Sequence, residues 1–163
     1  MTDAAPAPDR SAETPPPPTL EHVPIEDYVC LALYTASRTV TGLYRELLRE
    51  VDLTYPQYLV MRLLWQRGPV AVKDIAAVLA LDYGTLSPLL KRLEARGLIS
   101  RVRRADDERS VEIHLTDAGR AMRSGASRVP DELVCALGMD EQAIGELRAQ
   151  LRTLTATVSA SGT

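Results

Sequence analysis

The side chains of this 163-residue chain best suited to reactive chemistry are two thiols, Cys30 and Cys135. A thiolate is the form that peroxides oxidise, and the sulfenic acid so produced condenses with a second thiol to give a disulfide. The commoner use of a free cysteine, as a small apolar filler on a helix, stands beside that reading at both positions. Six tyrosines and one tryptophan all lie between residues 28 and 83, and phenylalanine is absent. Tyr34, four residues after Cys30, falls one helical turn away on the same face and can pack near the sulfur. Other reactive arrangements fail on spacing. His22 and His114 are remote from any nucleophile, no glycine-rich phosphate loop occurs, and a Cys2His2 metal site would need ligands scattered over residues 22, 30, 114 and 135. The chain reads as a non-enzyme needing neither metal nor cofactor.

A second chemistry is carried by charge. The net charge of −3 alone would argue against a polyanionic partner, yet Lys91, Arg92, Arg96, Arg101, Arg103 and Arg104 face a single acid, Glu94, across residues 85–104. The N-terminal stretch is acidic instead, with Asp3, Glu13, Glu21, Glu26 and Asp27. One short segment is therefore built to face phosphates. A protein-contact module whose arginines merely solvate a face is the blander alternative.

Positioning these groups falls to elements legible in the hydrophobic pattern. Seven of the 11 prolines lie within the first 24 residues, so residues 1–22 read as a disordered tail, a flexible extension rather than an SH3-type ligand. Leu33, Ala36, Val40, Leu43 and Leu47 step by three and four, predicting a long helix over about 25–50. Thr54-Tyr55-Pro56-Gln57 has capping-box spacing and opens a second helix that stops before Gly68-Pro69. A short helix over Val72 to Leu79 is followed by a turn at Asp82-Tyr83-Gly84. Next comes a helix through Lys91 and Arg92, ended by Gly97, with Pro88 requiring either a start at Thr85 or a kink. Leu98 to Val102 and Val111 to Leu115 alternate as two strands of a ribbon. Thr116 caps a helix towards residue 137, interrupted or kinked at Pro130. Ile144, Leu147, Leu151, Leu154 and Val158 form a narrow seam on a last helix, suited to a partner helix or to packing within the chain.

The expected fold is mainly α with a small β-ribbon: a winged helix-turn-helix whose terminal helices form a homodimer interface. In such a fold the second helix of the pair enters the major groove and the ribbon tip reaches backbone or minor groove. Nothing approaches the ~18 consecutive apolar residues of a membrane span, and the Pro-rich, acidic N-terminus does not read as a signal peptide, so the cytoplasm is the expected compartment.

Asp82-Tyr83-Gly84-Thr85-Leu86-Ser87-Pro88-Leu89-Leu90-Lys91-Arg92-Leu93-Glu94 and Asp106-Asp107-Glu108-Arg109-Ser110 resemble the recognition helix and wing of MarR-type repressors. Cys30-Leu31-Ala32-Leu33-Tyr34, Ala36-Ser37-Arg38 and Leu53-Thr54-Tyr55-Pro56-Gln57-Tyr58-Leu59 resemble, more narrowly, the two-cysteine OhrR branch that senses organic hydroperoxides. The resemblance runs over about residues 28–140 and departs at the Pro-rich tail and at Tyr83, where the branch usually carries a small residue.

It implies a homodimeric repressor on pseudo-palindromic double-stranded operator DNA, induced when an organic hydroperoxide oxidises Cys30. DNA contacts are implied for Asp82, Thr85, Ser87, Pro88, Lys91 and Arg92 and, on the wing, for Arg103, Arg104, Asp107 and Arg109. Asp107 sits two residues before Arg109, on its side of the ribbon. Tyr44 and Tyr55 match the tyrosines that bond the sensing thiolate, with Tyr34 beside them. On a continuous helix Tyr44 lies roughly 21 Å from Cys30, so contact across an antiparallel dimer is implied. A phenol donating to sulfur favours the thiolate. Cys135, after Pro130-Asp131-Glu132-Leu133-Val134, matches the resolving thiol of the other subunit. The domain expected over residues 23–163 then comprises a DNA-binding lobe at about 55–116 and dimerisation helices at about 25–50 and 117–160. Two rivals are a repressor released by a noncovalently bound phenolic ligand and a thiol peroxidase.

Overall fold

The computed structural model describes residues 23–103 and 111–161. The tail expected over residues 1–22 and the wing-tip residues Arg104, Asp107 and Arg109 lie outside them. The chain divides into two compact units, Met1–Ser37 and Arg38–Thr163. In the first, a 3-10 turn spans Ile25–Asp27 and helix α1 (Val29–Leu47) begins. The helix starts later than the expected residue 25 because Tyr28 holds an extended backbone between turn and helix. It also ends before residue 50: the chain turns through Asp52, whose φ is +49°.

The second unit follows the expected order with four differences. Helix α2 (Tyr55–Arg67) opens as predicted, the Thr54 N–H donating to Gln57 Oε1 at 2.9 Å, and closes at Gly68. Strand β1 (Val70–Ala71) was not anticipated, being only two residues long. It pairs with β3 (Val111–Leu115), which pairs with β2 (Ile99–Arg103), so the ribbon is part of a three-stranded antiparallel sheet ordered β1-β3-β2. Helix α3 (Val72–Leu79) ends at Ala80, a left-handed residue at φ +51°.

The turn of the helix pair is therefore Ala80-Leu81-Asp82, not Asp82-Tyr83-Gly84, and helix α4 runs Tyr83–Ala95 with Pro88 inside it. The start is fixed by Asp82, whose Oδ1 accepts the Thr85 N–H while the Thr85 hydroxyl donates to Oδ2, both at 2.8 Å. Pro88 has no N–H to offer the Gly84 carbonyl, a loss of about 3 kcal/mol. Leu86, Leu89, Leu90 and Leu93 are buried on the inner face. At roughly 1.5–3 kcal/mol each they outweigh it.

After the sheet, the stretch expected to be helical towards residue 137 is interrupted just ahead of Pro130, one of the two expected alternatives, giving α5 (Asp117–Gly125) and α6 (Val129–Leu137). Pro130 does not kink a helix. It lies in the first turn of α6, where a missing N–H costs little. The last helix, α7 (Glu141–Ser161), has no buried residue, and its Leu147, Leu151, Leu154 and Val158 are 37–61% exposed.

The core gathers Leu48, Met61, Leu64, Ile75, Leu90, Ile99 and Ile113 between helices and sheet. Its tightest joint is Gly119. A Cβ there would stand 2.0 Å from the Leu98 carbonyl oxygen. The Gly119 carbonyl accepts the Trp65 indole N–H at 2.8 Å, and its N–H donates to the Thr116 hydroxyl, which donates in turn to the Gly97 carbonyl at 2.6 Å. Gly119→Ala must push α5 off β2, so it is expected to lower stability by on the order of 1–3 kcal/mol or more, read as a lower thermal midpoint and a solvent-exposed Trp65 emission spectrum. An unchanged midpoint would show that this approach is not tight.

Candidate nucleic-acid interface and redox site

Helix α4 buries its leucine stripe and turns Gly84, Pro88, Lys91 and Arg92 outward, all exposed, with Ser87 half-buried. Of the other expected contact residues on this helix, Asp82 and Thr85 already cap it by bonding each other. The Thr85 hydroxyl and amide hold the Asp82 carboxyl below its ordinary range. Tyr83, 61% exposed, stands at the first position of the helix.

The basic excess divides in two. Arg96 donates to the Asp52 carbonyl and, at 3.3 Å, to the Val51 carbonyl, with its Nη2 3.4 Å from Asp52 Oδ2. Arg101, half-buried on β2, pairs its Nε with Glu94 Oε2 at 3.0 Å. These two arginines join α4 to its neighbours, which a count of charges along the chain does not reveal. Lys91, Arg92 and Arg103 keep exposed side chains among the described residues.

Cys30 is an exposed free thiol in the first turn of α1, with Tyr34 exposed one turn later in the same unit. Cys135 is an exposed free thiol near the end of α6 in the second unit. Tyr44 and Tyr55, also in the second unit, stack on each other with ring centroids 4.3 Å apart and planes 29° apart. Two aromatic side chains that residue spacing along α1 did not bring forward extend the stack. Tyr58 lies 5.7 Å from Tyr44, and Trp65 meets Tyr58 edge-on at 6.3 Å. Their signal was the three- and seven-residue spacing from Tyr58 to Tyr55 and Trp65 on one helix. Burial, reinforced by the two neighbouring phenols, pushes Tyr44 up to about 12, and burial raises Tyr55 and Tyr58 as well. A protonated phenol can donate one hydrogen bond.

A cleft of about 800 Å³ opens beside this stack, lined by Leu48, Leu53, Tyr55, Pro56, Arg92 and Arg96 among others. His114 on β3 places Nε2 3.3 Å from Glu112 Oε2. Among the described residues no group of three or more His, Cys, Asp or Glu side chains stands close enough to hold a metal, and no helix is long and apolar enough to cross a membrane.

The MarR family pattern matches residues 53–111. The chain is 40% identical over 141 residues to the organic hydroperoxide resistance transcriptional regulator of Bacillus subtilis (strain 168), across 85% of this chain and 94% of that one. Reduced AbfR bound to DNA is similar in structure, with a TM-score of 0.68 at 29% identity over 82% of this chain and 92% of that chain. The disulfide-formed state of AbfR, a protein of Staphylococcus epidermidis, gives 0.58 at 33% identity over 77% and 88%.

Replacing Lys91 or Arg92 by alanine is expected to weaken DNA binding without changing the thermal midpoint. A phosphate contact should reduce the salt slope by about one per charge, and a base contact should cost roughly 1–3 kcal/mol at one base pair. Parent-like binding by both variants in a salt titration would remove them from the interface. For the phenols, a folded-state value above the unfolded 10 means that stability is fully present below pH 10 and is lost as pH rises from about 10 towards 12. Tyr44→Phe should lose less stability across that window than the parent, measured by denaturant titration at pH 8 and pH 11.

Proposed function

The chain belongs to the MarR family, whose relatives here are transcriptional regulators rather than enzymes, and we propose that it is a homodimeric repressor that leaves its operator when an organic hydroperoxide oxidises Cys30. The observation that carries the redox step is the Tyr44–Tyr55 stack, two phenols held with ring centroids 4.3 Å apart, each able to donate a hydrogen bond. In the dimer these hydroxyls donate to the Cys30 sulfur of the opposite subunit and lower the cost of the thiolate. The thiolate attacks the outer peroxide oxygen, the O–O bond breaks, and the alcohol leaves after taking a proton while the sulfur becomes a sulfenic acid. The Cys135 thiolate of the opposite subunit then displaces that hydroxyl, which leaves as water, and a disulfide closes. Two electrons pass from the two thiols to the peroxide.

The exposed seam of α7 supports the dimer, since Leu147, Leu151, Leu154 and Val158 have no cover within the described chain. The lobe at about 55–116 then reads DNA, with helices at about 25–50 and 117–160 joining the subunits. Lys91, Arg92, Ser87, Pro88 and Arg103 face the operator from α4 and β2, supplemented by Arg104, Asp107 and Arg109 at the wing tip. A dimer holds two recognition helices one DNA turn apart, which is what a pseudo-palindromic site requires.

Cys30→Ser is expected to bind operator normally when reduced and to stay bound under cumene hydroperoxide. Cys135→Ser should still react, but show no intersubunit cross-link on a nonreducing gel and release DNA incompletely or irreversibly. Tyr44→Phe and Tyr55→Phe should each slow oxidation by an amount on the order of 1.5–3 kcal/mol. Full peroxide-driven release by Cys30→Ser would eliminate the sensor assignment and favour a noncovalent inducer.

A further inference from the structure

Arg96 stands one residue beyond α4, whose outer face carries Lys91 and Arg92, yet its guanidinium reaches the turn between α1 and α2. It grips that turn at three points: the Asp52 carbonyl, the Val51 carbonyl at 3.3 Å and the Asp52 carboxylate at 3.4 Å. The turn is tightly specified. Asp52 is left-handed at φ +49°, and Leu48 and Leu53 on either side are buried. The same short hairpin carries Tyr44 before the turn and Tyr55 after it, stacked at 4.3 Å. Arg96 and the tyrosine pair thus hold opposite ends of one piece of backbone.

Between the hairpin and the last turn of α4 lies the cleft of about 800 Å³, with Leu48, Leu53, Ala95 and Arg96 in its walls. Leu48 and Leu53 share one buried core with Leu89, Leu90 and Leu93 of α4, a non-directional contact, while the cleft itself is open. Among the described residues, the polar contacts that cross it come from Arg96. Two residues earlier, Glu94 binds Arg101 of β2 at 3.0 Å, so whatever moves the last turn of α4 also moves the wing strand.

We propose that Arg96 is the positioning residue that couples the tyrosine pair to the DNA-reading elements, so that rearrangement at Tyr44 and Tyr55 on oxidation is passed through the Val51–Asp52 turn to α4. The inference rests on the redox reading above. An arginine suits the task because its planar fork engages two carbonyls and a carboxylate at once, whereas a lysine is a point charge with no such geometry.

The test follows Cys30 oxidation by intact mass, operator release and thermal midpoint in the full chain, each against cumene hydroperoxide dose, for the parent, Arg96→Gln, Arg96→Lys and Asp52→Asn. In both Arg96 variants, Cys30 oxidation should match the parent and reduced protein should bind operator. Release should need roughly tenfold more peroxide, or remain partial once Cys30 is fully oxidised. Asp52→Asn, which spares both carbonyls, should shift release less. Release that tracks oxidation as in the parent overturns the inference. So does loss of reduced-state affinity in a folded Arg96→Lys, because that variant keeps the charge and such a loss would mean that Arg96 only holds α4 in its binding pose. If Arg96→Gln does not fold, Arg96→Lys decides. A parent that keeps its operator with Cys30 oxidised sinks the redox reading, and this inference with it, a result separable because the parent itself then fails.

Discussion

A buried indole N–H must find an acceptor, and much of this structure depends on where Trp65 finds one. Its partner is the Gly119 carbonyl, which α2 can reach only because Gly119 has no side chain and α5 lies against the Leu98 carbonyl. Thr116 and Gly97 close the same knot from the other side. That contact sets the height of the sheet above α2, and the sheet sets α4, through β2 and the Glu94–Arg101 pair. The surface offered to DNA therefore inherits its position from a hydrogen bond in the interior.

How far the sequence predicted this depends on how local each signal is. The three-and-four spacing of Leu33, Val40 and Leu47 and the capping box at Thr54 act within a few residues, and both helices are where they point. Strand β1 was invisible because two residues carry no periodicity; it exists only because β3 is there to pair with it. The start of α4 lies two residues before the expected Thr85, because the Asp82 carboxylate caps the helix by accepting from the Thr85 amide and hydroxyl. Pro130 resembled an interruption along the chain but is a helix opener once Ala126 to Arg128 leave the helical path. The thiols and the tyrosine pair were legible as residue types at suggestive spacings. The roles of Arg96 and Arg101 were not, since each pairs with a group far away or across an element boundary.

The phenols and the arginines make the same physical point from opposite directions. Desolvation at Tyr44 makes the neutral phenol the favoured form to still higher pH, with no paired charge involved. At Arg96 and Arg101 a charge that looks available for phosphate is committed to backbone and carboxylate oxygen instead. Net charge along a segment is thus a poor guide to surface charge until partners are known.

That commitment bears on how the protein searches a genome. With Arg96 and Arg101 engaged by oxygen acceptors of the chain, few cations remain free on α4 and β2 to displace counterions from DNA, on a chain that is acidic overall. Random duplex should hold such a molecule only briefly, because loose binding to arbitrary sequence grows with the number of phosphates neutralised. Few copies are then stranded on irrelevant sites. The free pool stays large relative to the number of operators, and the return to an operator is governed by encounter rate and not by slow escape from decoys.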